Sequence, residues 1–456
     1  MLSMSPTTTG GYKTSANVVT ISGDVGDTLF SYCVAGNQLT MTPQSTNPTM
    51  TGTIVLQRQG GAGGATGTGG TSASGGRTGS GGTTGTGGSA SGGRTGSGGA
   101  TSTGGTSSSG GRSGSGGATG TGGSTGSGGS TGAGGAVAGS LPCDIYDAAK
   151  TPCVAAHSMV RALYSKYDGR LYQVRRTDNT TKDILTSAPG GLADTAPHDA
   201  FCAGSSCVIT VVYDQSAKAN DLWYQGSVQV PASPQSSAAK ATDTVTVAGK
   251  KIYSLYISPG NCYWHDGSKS GMAIGAEPEG MYMVTSSRHA NGGCCFDYGN
   301  SETTRSADVG GAMDSLNFST TTAWGSGAGS GPWIMADLEW GLFAPGDNKK
   351  NSNDPTQTAP FVTAVLRNNG TTEYAIRGGD ATTGALTTYY KGSVPYNPMK
   401  KQGALILVCG GDCCKPSGGA NASSGIFFEG AIVTGYPTDA TENAVQASIV
   451  AAGYGK

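Results

Sequence analysis

Short apolar or alternating runs recur along residues 140–456, each closed by glycine, asparagine, aspartate or serine. They are Val208–Tyr213, Lys251–Ile257, Gly280–Val284, Trp333–Glu339, Phe361–Leu366 and Ala404–Val408. Runs of about four to eight residues with a two-residue period and turn residues at both ends are strand signals. Long stretches of helical period are missing, and only Ala155–Tyr164 and Thr441–Ala452 offer short helices. The pattern predicts an all-β domain, an antiparallel β-sandwich, with enough chain to bury a core and still build a cleft.

Two other regions differ in texture. Residues 1–58 hold the strand-like runs Val18–Ile21, Thr28–Tyr32, Gln38–Thr42 and Thr53–Gln57, with a turn at Ala35-Gly-Asn37. So short a segment supplies only a marginal core, and it reads as a truncated β fragment of unknown role. Residues 59–139 are almost wholly Gly, Ser, Thr and Ala, with the quasi-repeat Ser74-Gly-Gly-Arg-Thr78, Ser91-Gly-Gly-Arg-Thr95 and Ser109-Gly-Gly-Arg-Ser113. Glycine keeps no every-third register and proline is absent, which excludes a collagen helix. A flexible linker spanning roughly 50 Å is expected there, without chemistry of its own.

Charge narrows the partners. With 28 Lys+Arg against 29 Asp+Glu, there is no electrostatic pull towards nucleic acid or a membrane surface. No apolar run approaches the ~20 residues a membrane span needs. The cysteines fall at short spacings: Cys143/Cys153, Cys202/Cys207, Cys294/Cys295 and Cys409/Cys413/Cys414, with Cys262 and Cys33 apart. No Cys-x-x-Cys pair is matched by a second pair or by histidines, so neither zinc nor another metal or cofactor is expected. Such cysteine usage suits an oxidising compartment and a secreted protein. Met1-Leu-Ser-Met-Ser-Pro6 lacks the charged start and apolar centre of a signal peptide. The true start is therefore expected upstream, or the chain is a fragment.

Candidate chemistry concentrates at three places. In the run Trp333–Trp340, Ile334, Ala336, Leu338 and Trp340 are expected to face one way, with Met335, Asp337 and Glu339 facing the other. This puts the two carboxylates about 7 Å apart. A solvated outer face would alternate in the same way. Glutamate is scarce, however: all seven lie between Glu277 and Glu442, and Glu339 ends the most aromatic strand. Asp412, in Val408-Cys-Gly-Gly-Asp-Cys-Cys414, sits where an apolar strand breaks into a cysteine-pinned glycine turn. Glycoside hydrolysis needs two carboxyl groups across the scissile bond, and Glu339 with Asp412 is the expected pair. The adjacent Cys294 and Cys295 form the third feature. Trans-linked neighbours stand ~3.8 Å apart, closer than ordinary disulfides allow. Joining these two sulfurs would make a rigid, sulfur-faced wall for a ligand.

Pro142-Cys-Asp-Ile-Tyr146, Thr151-Pro-Cys-Val-Ala-Ala-His-Ser158, Arg161-Ala-Leu-Tyr164, Val212-Tyr-Asp-Gln-Ser216, Glu279-Gly-Met-Tyr282, Cys294-Cys-Phe-Asp-Tyr-Gly-Asn300, Gly331-Pro-Trp-Ile-Met335 and Gly435-Tyr-Pro-Thr-Asp439 occur in this order. Together they resemble the catalytic module of the α-L-arabinofuranosidase B family, glycoside hydrolase family 54, over about residues 141–454. The resemblance implies a concanavalin-like β-sandwich (jelly roll). It would act as a retaining, exo-acting hydrolase that releases terminal α-L-arabinofuranose from arabinan and arabinoxylan side chains. Glu339 falls on the family's nucleophile and Asp412 on its acid/base. Asp337 falls on a sugar-contacting carboxylate, Trp324 on an aromatic of the sugar pocket, and Cys294-Cys295 on a vicinal disulfide against the furanose ring. Gly411 and Phe296 join the expected substrate contacts. Trp340-Gly341 stand where fungal members carry asparagines, and Cys262, Cys409, Cys413 and Cys414 look additional. The arabinose-binding β-trefoil that follows this module in fungal relatives is not expected here.

Disulfides Cys143–Cys153, Cys202–Cys207 and Cys294–Cys295 are expected, with the four additional cysteines forming two more in one of three connectivities. Cys33 is left over. The implied partners are arabinose-containing polysaccharides, met by a monomer. Two alternatives stand beside this reading: a catalytically inactive carbohydrate-binding sandwich, or a related pentosidase or galactofuranosidase. Retention of both Glu339 and Asp412 argues against the first.

Overall fold

The computed structural model describes residues 140–456 except Asn348, Gly411 and Asp412, together with the backbone of five strands nearer the N-terminus. The expected residue contacts of Gly411 and Asp412, the pairing of Cys33 and the linker 59–139 lie outside the described residues. The five strands Gly11–Ser15, Val18–Gly23, Gly26–Ala35, Gln38–Gln44 and Ile54–Gln57 form an antiparallel sheet in chain order. They belong to a compact unit separate from residues 140–456.

Residues 140–456 fold as a β-sandwich of two large antiparallel sheets. One has eleven strands, and its site-bearing end runs Leu342–Phe343, Trp333–Asp337, Asp314–Ser319, Asp297–Ser301, Ala404–Leu407 and Tyr263–Asp266. The other has seven and centres on Gly425–Thr434, Glu279–Thr285, Val362–Asn368 and Tyr374–Asp380. Alternation builds the core between them. Phe296, Tyr298, Leu316, Phe318, Ile334, Ala336, Leu405 and Leu407 project inward and are fully buried in one continuous cluster. Each Leu, Ile or Phe among them, taken from water, contributes about 1.5–3 kcal/mol.

The run Ala155–Tyr164 is not a helix. Cys153–Ser158 is a strand paired with Gly425–Thr434, because Val154, Ala155 and Ala156 complete a buried sheet edge. The helix at the C-terminus spans Asp439–Ala451. The Thr438 hydroxyl accepts the Thr441 amide at 3.1 Å as its cap. Glu442 in its first turn is buried against Arg367 and Arg377, which tie the helix to the second sheet. No helix among the described residues is long and apolar enough to cross a membrane.

Among the described residues, five disulfides are present: Cys143–Cys153, Cys202–Cys207, Cys262–Cys414, Cys294–Cys295 and Cys409–Cys413. The structure thus selects one of the three connectivities left open for the additional cysteines.

A buried ion pair ties the segment just after strand Cys153–Ser158 to strand Gly425–Thr434. Arg161 donates from Nε and Nη2 to the two Glu429 oxygens at 2.7 Å each, and the hydroxyls of Tyr454 and Tyr282 donate to the same carboxylate. Removing one member of such a pair leaves the other charge buried and uncompensated. Glu429→Gln is therefore expected to lower unfolding free energy by about 3–5 kcal/mol. An unchanged urea midpoint at the same denaturant sensitivity would contradict this.

Candidate active site

The outer side of those same strands carries the chemistry. Asp297, Ser315, Asn317, Met335 and Asp337 face away from the sandwich core, yet all are buried. Of these, Asp337 reaches a cleft of about 360 Å³ lined also by Cys294, Cys295, Met313, Trp324, Glu339, Trp340, Gly410 and Cys413, among others. The expected residues Glu339, Asp337, Trp324, Cys294 and Cys295 thus meet in one place. Gly410 and Cys413, which bracket the undescribed Gly411-Asp412, line the same cleft. Phe296 does not: it is fully buried in the core, its ring packed on the backbone of Gly425.

Strand continuity aligns the walls. Beyond the paired segment, the Val408 amide donates to the Asp297 carbonyl at 2.7 Å and the Cys409 amide to the Cys295 carbonyl at 2.9 Å. The cysteine-bridged loop therefore runs beside the vicinal pair. The Cys294–Cys295 peptide is cis, with Cα atoms 3.0 Å apart instead of the trans spacing. Gly293 is required just before it, because a Cβ there would lie 2.0 Å from the Ala422 carbonyl oxygen.

Glu339 is not on the strand. Regular pairing ends at Asp337, and Glu339 and Trp340 take left-handed backbone angles, φ 63° and 57°. The alternation expected through Trp340 fails there for that reason. Leu338 stays in the core, but Trp340 turns outward and is 62% exposed. The Asp337 carboxylate holds the turn by accepting the Glu339 amide at 3.1 Å. Val408 and Cys409, on the opposite loop, are also left-handed (φ 72° and 62°). Two consecutive non-glycine residues in this region on each side of a cleft mark sites that the surrounding structure must enforce.

The electrostatics separate scaffold carboxylates from site carboxylates. Among the described residues, buried Glu279, Glu429 and Glu442 each meet a Lys or Arg. Asp297, Glu302, Asp337 and Glu339 are equally buried and form no ion pair there. Burial raises Glu339 to about 10, helped by the facing carboxyl of Glu302 and by repulsion from Glu302 and Asp337. Burial, with repulsion from Glu302, raises Asp337 to about 7 despite the Glu339 amide. Asp297 is held well above the carboxylate range by burial first and Asp337 second, although Asn317 donates to it at 2.7 Å.

Glu302 was not anticipated. Its only signals were its place among seven glutamates and its position just past the strand that follows the vicinal cysteines. Cys295 Sγ and the Asp297 and Asp337 carboxylates lie within 4.8 Å of one another. That sulfur is committed to a disulfide, which leaves two carboxylates as donors.

Fold and cleft define a β-sandwich with a carboxylate-floored, sulfur- and aromatic-walled pocket. The sequence profile described as "Alpha-L-arabinofuranosidase B, catalytic" matches residues 142–455, and the chain belongs to that family. It is 50% identical over 329 residues to a probable α-L-arabinofuranosidase B of Aspergillus clavatus, covering 70% of this chain and 63% of that protein. It is 47% identical to an arabinofuranosidase/β-xylosidase of Trichoderma koningii over 330 residues, covering 70% and 64%. A solved arabinofuranosidase complexed with arabinofuranosyl-α-1,2-xylobiose superposes with TM-score 0.65 at 45% identity, covering 69% of this chain and 65% of that one. The chain thus spans under two thirds of these relatives' length.

The crowded carboxyls carry a stability cost with a definite pH sign. A carboxyl raised in the folded state binds more protons there than in the unfolded chain. Its stabilising contribution is complete below the unfolded value and is lost as pH rises through the folded one. For Glu339 that window runs from 4.5 to about 10, and for Asp337 from 3.8 to about 7. Glu339→Gln is expected to match the parent's melting temperature near pH 4 and exceed it by about 2 °C or more at pH 8. Thermal melts across that range that showed no growing gap would contradict the assignment.

Proposed function

We propose that this domain is a retaining, exo-acting α-L-arabinofuranosidase that releases terminal arabinofuranose from arabinan and arabinoxylan side chains. The observation that carries this reading is the convergence of Glu339, Asp337, Trp324 and the Cys294–Cys295 wall on one cleft, with both neighbours of the Gly411-Asp412 segment at its edge.

Glu339 attacks the anomeric carbon as nucleophile while Asp412 gives its proton to the departing glycosidic oxygen. A glycosyl ester on Glu339 results. Asp412, now a carboxylate, takes a proton from water, which attacks the same carbon and restores the original configuration. The nucleophile must be ionised, whereas burial and crowding favour its acid form. Of the facing carboxyls, Glu302 is the more enclosed, fully buried against 9% exposure for Glu339, which leaves Glu339 as the one open to a sugar. The sulfur wall gives an apolar, polarizable face to the five-membered ring. Five disulfides support a secreted location, and arabinose-bearing polysaccharides are the partners. The relative described as an arabinofuranosidase/β-xylosidase makes a β-D-xyloside the second substrate to assay.

Proton NMR of the first-formed sugar should show the α anomer. Glu339→Gln should abolish turnover on 4-nitrophenyl α-L-arabinofuranoside and on polysaccharide alike. Asp412→Asn should cost about 10²–10⁴-fold on polysaccharide, the range for a general acid, and far less on the aryl glycoside, whose leaving group needs little protonation. Inverted product or equal Asp412→Asn losses on both substrates would overturn the assigned roles.

A further inference from the structure

The cleft's outer rim is aromatic. Of the five tryptophans, Trp333 is buried and Trp223 and Trp264 are half-buried. Only Trp324 and Trp340 are exposed, at 45% and 62%, and both line this one cleft. Exposed indole is costly in water, and two at one rim mark a surface that a ligand covers. Their backbones are held firmly. The Leu342 amide donates to the Trp324 carbonyl at 3.1 Å, and the Tyr396 hydroxyl donates to the Trp340 carbonyl at 3.3 Å. The Gly311 amide ties Leu338 at 2.7 Å. Rigid anchoring of an exposed ring lowers the ordering cost of binding.

Position along the chain indicates what is bound. Trp340 immediately follows Glu339 and lines the same cleft, but it is 62% exposed where Glu339 is 9% exposed, so its indole stands on the solvent side. In an exo-acting pocket the terminal sugar is enclosed and the glycosidic oxygen lies beside the two catalytic carboxyls. The sugar on the far side of that oxygen must therefore leave past the rim.

We propose that Trp340, with Trp324 beside it, forms the subsite for the sugar that carries the terminal arabinose, and that its preferred occupant is a pyranose ring stacked on the indole. This rests on the arabinofuranosidase reading. A pyranose chair presents a broad, flat face of C–H bonds to an aromatic surface, whereas a puckered furanose presents a smaller one. The domain therefore favours arabinose borne on a pyranose backbone, as in arabinoxylan, over arabinose borne on another furanose, as in arabinan.

The test compares kcat/KM on arabinofuranosyl-xylobiose with that on an arabinofuranosyl-1,5-arabino-oligosaccharide of equal length. The parent enzyme should prefer the first. Trp340→Ala should cut that preference about tenfold, or about 1.4 kcal/mol, mainly through KM, and Trp340→Phe should restore most of it. Trp340 is largely exposed, so its truncation removes little core packing, and a thermal melt of each variant verifies the fold. A preference unaltered in Trp340→Ala, or absent in the parent, overturns the subsite alone. Hydrolysis of neither substrate by the folded parent overturns the functional reading and the subsite with it.

Discussion

Four neighbouring strands have to satisfy two opposite demands at once. On one side Tyr298, Leu316, Phe318, Ile334, Ala336, Leu405 and Leu407 knit the first sheet to the second. On the other side Asp297, Ser315, Asn317 and Asp337 are buried beneath loops without joining that core. The two-residue period of a strand makes the faces inseparable, because a register slip by one residue would exchange them. Core and cleft floor are therefore specified together. The loops at the strand ends, Cys294–Phe296, Leu338–Leu342 and Val408–Cys414, need only complete the walls.

Among the described residues, the carboxyls around this cleft are buried without a counter-charge. Elsewhere the protein compensates each buried glutamate: Arg161 for Glu429, Lys401 for Glu279, Arg367 and Arg377 for Glu442. These pairs leave the partner charges satisfied and organise the scaffold. Around Glu339 the carboxyls meet no cation among the described residues, and burial with mutual repulsion holds Asp297, Asp337 and Glu339 above the usual carboxylate range. Groups poised in this way suit proton transfer and nucleophilic attack, and they lower the stability of the fold that holds them. The left-handed turns at Glu339-Trp340 and Val408-Cys409 follow the same logic in the backbone. The bridge Cys409–Cys413 links two residues of the second of those loops, and Cys262–Cys414 ties that loop to the start of strand Tyr263–Asp266.

Much of this was legible in the chain itself. Period-two runs announced six strands of the two sheets, since alternation and turn residues act within a few residues of each other. Adjacent cysteines, Asp337 and Glu339 at strand spacing, and the ordered motifs from Pro142 to Asp439 pointed to one family and one pocket. Local pattern misled where a neighbour in space decided the outcome. Val154, Ala155 and Ala156 suit a helix or a strand equally, and the open edge beside Gly425–Thr434 made them a strand. Trp340 continued an apolar alternation, yet the Asp337 carboxylate capturing the Glu339 amide ended the strand and sent the indole outward.

The amino-acid sequence by itself marked several of the strands, the apolar face of each of those, and which side chains could perform acid–base chemistry. These follow from sterics and solvation acting between near neighbours. Only the tertiary structure decided that Cys262 pairs with Cys414 across 152 residues, that Glu302 faces Glu339, and that two tryptophans share one rim. Such proximities depend on the summed register of many strands, and no local stretch of sequence contains that sum.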